Sequence, residues 1–255
     1  RWTEYELIRL APRFLERTAR GRVRECHGDL HLGNIVLING EPTPFDCIEF
    51  SEKLRWIDVM NELAFLVMDL LDHGLWRLAF RCLNDYLQVT GDYEGAAIMR
   101  HYLVYRAMVR AKVACIRTHQ GDVAPAILQA AARQFAGYLD LADRLMTFGN
   151  PALVLMHGVS GSGKTTLSQD ILERIGAIRV RSDIERKRLH GLAAESHTAG
   201  GVGGGLYEAQ ASRRTYERLA EIARGTISAG WPLIVDATFL KRAENPTTQI
   251  VLLLQ

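Results

Sequence analysis

The chain has 255 residues, 48% of them hydrophobic, and a formal net charge of only +2. At roughly 100–200 residues per domain this allows one large or two small domains, and the near-neutral balance argues against a nucleic-acid partner held by a global basic field. The longest apolar runs, LAFLVM and ALVLM, fall far short of the ~18 residues that a membrane span needs, so no membrane partner is expected.

No secretory leader is visible, and the four cysteines Cys26, Cys47, Cys82 and Cys115 are scattered without a CxxC pair. A cytoplasmic protein with reduced thiols is expected. The chain starts on Arg1 rather than methionine and closes on the apolar run IVLLLQ, so a fragment of a longer protein is expected too.

Along the chain, Leu7, Leu10 and Phe14 recur at spacings of three and four and predict a helix over the first 20 residues. Arg22–Cys26 reads as a short strand that enters a loop at His27. IVLI is strand-like, NGEP a turn, and PFDCIEF a second strand, which gives a small hairpin with Asp46 on its second arm. After Asp58 the pattern is helical. VMNELAFLVMDLL is apolar nearly all round, as a buried helix is. LWRLAFRCLNDYL, AAIMRHYLVYRAMVRAKVACI and PAILQAAARQFAGYLDLADRLM follow, some of them separated by the turn signals TGD and QGD.

At FGNP the grammar changes. PALVLMHG is a buried strand, followed by a glycine-rich turn and a helix. IRVRSD is a second strand ending in an acid. GGVGGG is read as a mobile loop rather than a dinucleotide fingerprint. LYEAQASRRTYERLAEIARGTISAG is an amphipathic helix with Tyr216, Leu219, Ala223 and Ile227 on one face, and WPLIVDATF is a third strand ending in an acid. Strands alternating with helices imply a parallel α/β sheet. The domain boundary falls at 147/148, giving domains 1–147 and 148–255.

Two stretches carry chemistry. Gly158-Val-Ser-Gly-Ser-Gly163-Lys164-Thr165 fits GxxxxGK[ST] in full, with a strand before it and a helix after it. Glycines let successive N–H groups close around a phosphate, and the helix N-terminus adds positive potential. The expected cradle is Gly158, Ser160, Gly161, Ser162, Gly163, Lys164, Thr165 and Thr166. Lys164 reaches the β- and γ-phosphates of ATP and Thr165 holds Mg²⁺. Asp183 and Arg186, one helical turn apart in RSDIER, suit a proton acceptor for a substrate hydroxyl and a cation for an acidic or phosphate group. Asp236, closing LIVD, suits Mg²⁺ or its water. The structural alternatives are a helix cap for Asp183, a surface position for Arg186 and a cap for Asp236.

GVSGSGKTT, SDIER and IVDATF together resemble the small P-loop kinases of the gluconate kinase, polynucleotide 5′-kinase and zeta-toxin type, which are related to AAA-family ATPases. The resemblance covers about residues 152–243. It implies that Asp183 is the base and Arg186 a substrate contact. Such kinases continue with a further helix, a strand and an arginine-bearing lid. Between Phe239 and Ile250 there is barely room for them, so the domain is expected to be truncated or its tail not native, with Lys241 and Arg242 the nearby cations.

The other stretch is HGDLHLGN at residues 27–34. With Asp46 and Asp58 after it, it resembles the catalytic core of the kinase-like aminoglycoside phosphotransferase family over about residues 20–145. The resemblance implies Asp29 as the catalytic acceptor of a hydroxyl proton, with Asn34 and Asp46 as Mg²⁺ ligands. Asp46 is preferred to Glu49 because Asp58 follows it by twelve residues. His27 and His31 are read as loop-packing residues. Only 28 residues precede Asp29, too few for the small lobe that would grip ATP, so this half is expected to be weak or silent in this chain.

The expected fold is therefore α/β: a mostly helical kinase-like C-lobe, then a parallel-sheet P-loop domain. The expected function is a bifunctional ATP-dependent phosphotransferase acting on a small hydroxyl-bearing molecule. The alternatives are a nucleotide-binding regulatory pseudokinase without acceptor turnover, and a nucleic-acid 5′-kinase. The sequence gives neither the acceptor nor the oligomeric state.

Overall fold

The computed structural model describes residues 1–118, 124–147, 149–158, 162–194 and 209–237, and its contacts divide the chain into two units. One comprises Arg1–Leu75 and Ala97–Phe148, the other Trp76–Ala96 and Gly149–Gln255. GGVGGG and everything after Ala237, including Lys241 and Arg242, lie outside the described residues.

In the first unit, helix α1 (Trp2–Ala19) buries Leu10, while Leu7 of the expected stripe faces solvent. Strand β1 (Val23–Glu25) leads into the His27 loop. Strands β2 (Ile35–Ile38) and β3 (Glu41–Pro44) form the hairpin, with Val36 opposite Thr43 and Ile38 opposite Glu41. The turn is the pair Asn39-Gly40, both at positive φ (54° and 84°), as a two-residue turn that matches strand twist requires.

The second arm therefore starts earlier than the sequence suggests and ends before Asp46. Pro42 and Pro44 fit in it because β3 is an edge. Phe45 N donates to Asn34 O at 3.0 Å, so by alternation the odd-numbered amides face β2 and the missing proline donors fall on the open side.

Helix α2 (Glu52–Arg55) precedes β4 (Trp56–Asp58), a strand that the sequence reading did not anticipate. It pairs antiparallel with β1, Val23 opposite Asp58. Asp58 then caps helix α3 (Val59–Asp72), accepting from Met60 N at 2.8 Å. Arg17 of α1 donates to both Asp58 oxygens at 2.7 and 2.8 Å, and both side chains are buried. This bidentate pair ties α1, β4 and α3 together. The core around it is apolar, with Met60, Phe65 and Met68 of α3 buried as the nearly continuous apolar run requires.

The next helix, α4 (Trp76–Thr90), belongs to the second unit. The expected boundary at 147/148 assigned it to the first domain. Its Asn84 explains the difference: Nδ2 donates to Ala177 O at 2.9 Å, and Oδ1 accepts from Arg179 N at 2.7 Å. Phe80 is buried against Trp231, ring centroids 6.3 Å apart. The chain then returns to the first unit with α5 (Ala96–Thr118) and α6 (Pro125–Thr147), which bury Leu103, Tyr138 and Leu141.

The second unit is built on three parallel strands, β5 (Leu153–Met156), β6 (Ile178–Arg181) and β7 (Leu233–Asp236), in the order β5-β7-β6. Helix α7 (Lys164–Ile175) follows β5, and α8 (Ser182–Leu189) follows β6. Helix α9 (Ala209–Ser228) precedes β7 and buries Leu219 and Ala223, with Tyr216 and Ile227 half-buried beside them. All four residues of β7 are buried, as expected for a central parallel strand. Trp231, fully buried, donates Nε1–H to Ala96 O at 2.9 Å. None of the described helices is long and apolar enough to cross a membrane.

Candidate functional site

The β5–α7 turn makes a phosphate-type loop. Gly158 has φ 147°, and a Cβ there would lie 2.9 Å from Ser162 Oγ, so a side chain would close the loop. Gly163, at φ 80°, turns the chain into α7, and its carbonyl accepts from Leu167 N at 3.0 Å. Lys164 folds back along the loop and donates Nζ–H to Gly158 O at 2.8 Å. Thr165, next in line, donates Oγ1–H to Asp236 Oδ2 at 2.9 Å. Asp236 closes the central strand, opposite Met156 and Arg181, and is 7% exposed. A hydroxyl and an acid named from sequence, Thr165 and Asp236, are thus in direct contact across 71 positions. Ser160 and Gly161 lie outside the described residues.

Beneath the loop, Arg179 donates to Ser168 Oγ at 3.0 Å and to Thr165 O at 3.2 Å. Burial, then the like charge of Arg181, lowers its guanidinium from the ordinary range. Sequence reading did not single out Arg179 or Arg181. They alternate with buried Ile178 and Val180 on β6, and that alternation of arginine with aliphatic residues was the available signal.

Asp183 was expected to end the second strand. The helix begins one residue earlier, at Ser182, so Asp183 lies in the first turn of α8. Its carboxylate accepts from Arg181 Nη2 at 2.9 Å and remains exposed. Arg186 stands one turn further along the same helix, near enough to Tyr216 for its charge to oppose the burial that raises that phenol.

In the first unit, the His27–Asn34 loop is held from several sides. His27 Nε2–H donates to Phe45 O at 2.8 Å, and Nδ1 accepts from Asp29 N at 3.4 Å. Gly28 N donates to Glu62 Oε2 at 3.0 Å, and Arg106 Nη1 donates to Gly28 O at 3.2 Å. Leu32 N donates to Asp69 Oδ2 at 2.8 Å. Asn34 Nδ2 donates to Asp29 Oδ2 at 3.1 Å, and His31 Nε2 lies 3.4 Å from the same oxygen. The His31 hydrogen bond, with the charges of His31 and Arg110 and the Asn34 hydrogen bond behind it, overrides burial and lowers the Asp29 carboxyl from its ordinary value.

Asp29 and Asn34 are therefore together. Asp46 is not on a strand, as expected from PFDCIEF, but on the loop after β3, exposed and at φ 61°. That loop is pinned beside the Asp29 loop by Phe45 N to Asn34 O (3.0 Å) and Ile48 N to His27 O (2.9 Å). Glu62, Asp69 and Arg106, which position the loop, were missed; they sit inside helical periodicity that gives no sign of which backbone they serve.

Comparison with known proteins adds a family for one region. Residues 153–248 match the model of an AAA domain. The chain is 33% identical over 226 residues to the uncharacterized proteins Rv2004c of Mycobacterium tuberculosis and Mb2027c of Mycobacterium bovis. The match takes in 89% of this chain and 44% of each relative, so the chain spans less than half the length of the curated relatives it matches. No solved structure matches it at a significant level. The Lys164 contact and the paired Thr165 and Asp236 lie within the region, residues 153–248, that matches the AAA domain model, and they support a P-loop nucleotide-binding domain there.

Proposed function

We propose that the protein is an ATP-dependent phosphotransferase, with the P-loop as its main nucleotide site and a small hydroxyl-bearing molecule as acceptor. The observation that carries this reading is the contact between Thr165 of the loop and the buried Asp236. A hydroxyl and a carboxylate oxygen form the hard donor set that suits Mg²⁺, and the Gly158 cradle leaves the space that a Cβ would fill. The residues present therefore fit Mg-ATP. Thr165 and Asp236 would hold the cation, and Lys164 with the loop amides would hold the phosphates. When bound, Mg²⁺ neutralises phosphate charge.

Asp183, exposed on α8 beside Arg181, takes the proton of the acceptor hydroxyl as the γ-phosphoryl group passes to that oxygen. Arg181 orients the carboxylate. The Asp29–Asn34 pair, with the Asp46 loop pinned beside it, supports reading the first unit as a kinase-like C-lobe of the aminoglycoside phosphotransferase type.

The test is ADP formation with and without panels of sugars, polyols and nucleosides. An active acceptor should raise turnover, and Asp183→Asn should cut that increment by about 10²–10⁴-fold, the usual contribution of a positioned base, while ATP still binds. Bound ATP with no acceptor-dependent turnover in any panel would instead mark a nucleotide-binding regulator.

A further inference from the structure

Beside the P-loop, within the second unit, lies an open cleft of about 500 Å³. That is the size of a small-ligand site. Its lining includes Thr165 and Thr166 of the loop's helix and four arginines: Arg77 and Arg81 from α4, Arg179 and Arg181 from β6. Among the described residues, two carboxylates, Asp170 and Glu173, line it with them.

Those two are already engaged. Glu173, itself buried, takes Arg81 Nε at 2.8 Å, Arg77 Nε at 3.2 Å and Gln169 Nε2 at 2.8 Å. Asp170 takes Arg77 and Arg174. Arg181 gives Nη2 to Asp183, but its Nε is buried without a hydrogen-bond partner. Guanidinium groups present planar forks of donors matched to oxyanions. A buried unpaired donor is costly and calls for an acceptor.

We propose that this cleft is an oxyanion subsite, adjoining the P-loop at Thr165 and Thr166, which holds a phosphate or carboxylate group carried by the phosphoryl acceptor. The assignment of the occupant to the acceptor rests on the phosphotransferase reading above. It narrows the acceptor to molecules with both a hydroxyl and an anionic group. Two of its four arginines come from α4, which precedes the matched AAA region.

The test is calorimetric titration of inorganic phosphate, and separately acetate, into the protein saturated with Mg-ADP. Phosphate or acetate should bind the ADP complex, and the tighter of the two names the group. Arg77→Gln and Arg181→Gln, checked for folding by circular dichroism, should each weaken that binding at least tenfold. Binding that vanishes when ADP is present, or that is unchanged in both variants, overturns the proposal, as does a wild-type ADP complex that binds neither anion. If Mg-ADP does not bind at all, the P-loop reading fails by itself. The same titrations on Lys164→Ala then still report on the cleft.

Discussion

Asp29 sits half-exposed between His31 and Asn34, and both neighbours favour its ionised form. Its folded-state pKa lies below the ordinary value, with the His31 hydrogen bond as the largest cause. The sign follows from linkage. The stabilisation that this carboxylate contributes is complete above its unfolded pKa and is lost as the pH falls through the lower folded value. His31→Ala should move the Asp29 titration up toward the ordinary carboxylate range in a carbon-detected NMR titration. An unmoved midpoint would mean that His31 is not the group that holds it.

At this scale two pairings were legible. Asp29 and Asn34 were named from the resemblance of HGDLHLGN, Thr165 from the P-loop motif and Asp236 as the acid closing LIVD, and each pair is in contact. What could not be read was which backbone groups Glu62, Asp69 and Arg106 would take, since those partners lie 34, 37 and 78 residues away.

Between elements, the informative case is α4. Its periodicity predicts a helix but not its neighbours, so it was grouped with the helices on either side of it. Asn84 shows where it packs, with an amide that satisfies Ala177 O and Arg179 N at the entry to β6. Asn84→Ala leaves both of those buried groups unpaired. It should lower stability by about 1–3 kcal/mol, read as a shift of the urea midpoint. No shift would show that α4 does not hold the β6 edge.

In the first unit, Arg17 and Asp58 play the corresponding part for α1, β4 and α3. Arg17→Ala strands a buried carboxylate and should cost about 3–5 kcal/mol. A loss below 1 kcal/mol, about what an exposed pair gives, would show that water reaches the pair. The strand β4 escaped notice for a simple reason: three residues, Trp56-Ile-Asp58, give too short a run for alternation to register. The second hairpin arm was misplaced because the first of its two prolines, Pro42 in NGEP, read as a turn residue. On an edge strand they are tolerated where their missing donors face outward.

The molecule divides into two units, and among the described residues the second carries the parts of a P-loop nucleotide site. The P-loop unit has the loop, the lysine, the threonine and the buried acid. The first unit has Asp29 and Asn34 in contact, with the Asp46 loop pinned beside them. If the P-loop is the main nucleotide site, affinity for Mg-ATP must reside in the second unit. The most direct measurement is calorimetric titration of Mg-ATP into the wild-type chain, Lys164→Ala and Asp46→Ala. Lys164→Ala should abolish binding, and Asp46→Ala should leave it within twofold of the wild type. Binding that survives Lys164→Ala and disappears only when Asp46 is also replaced would contradict this and place a working nucleotide site in the first unit.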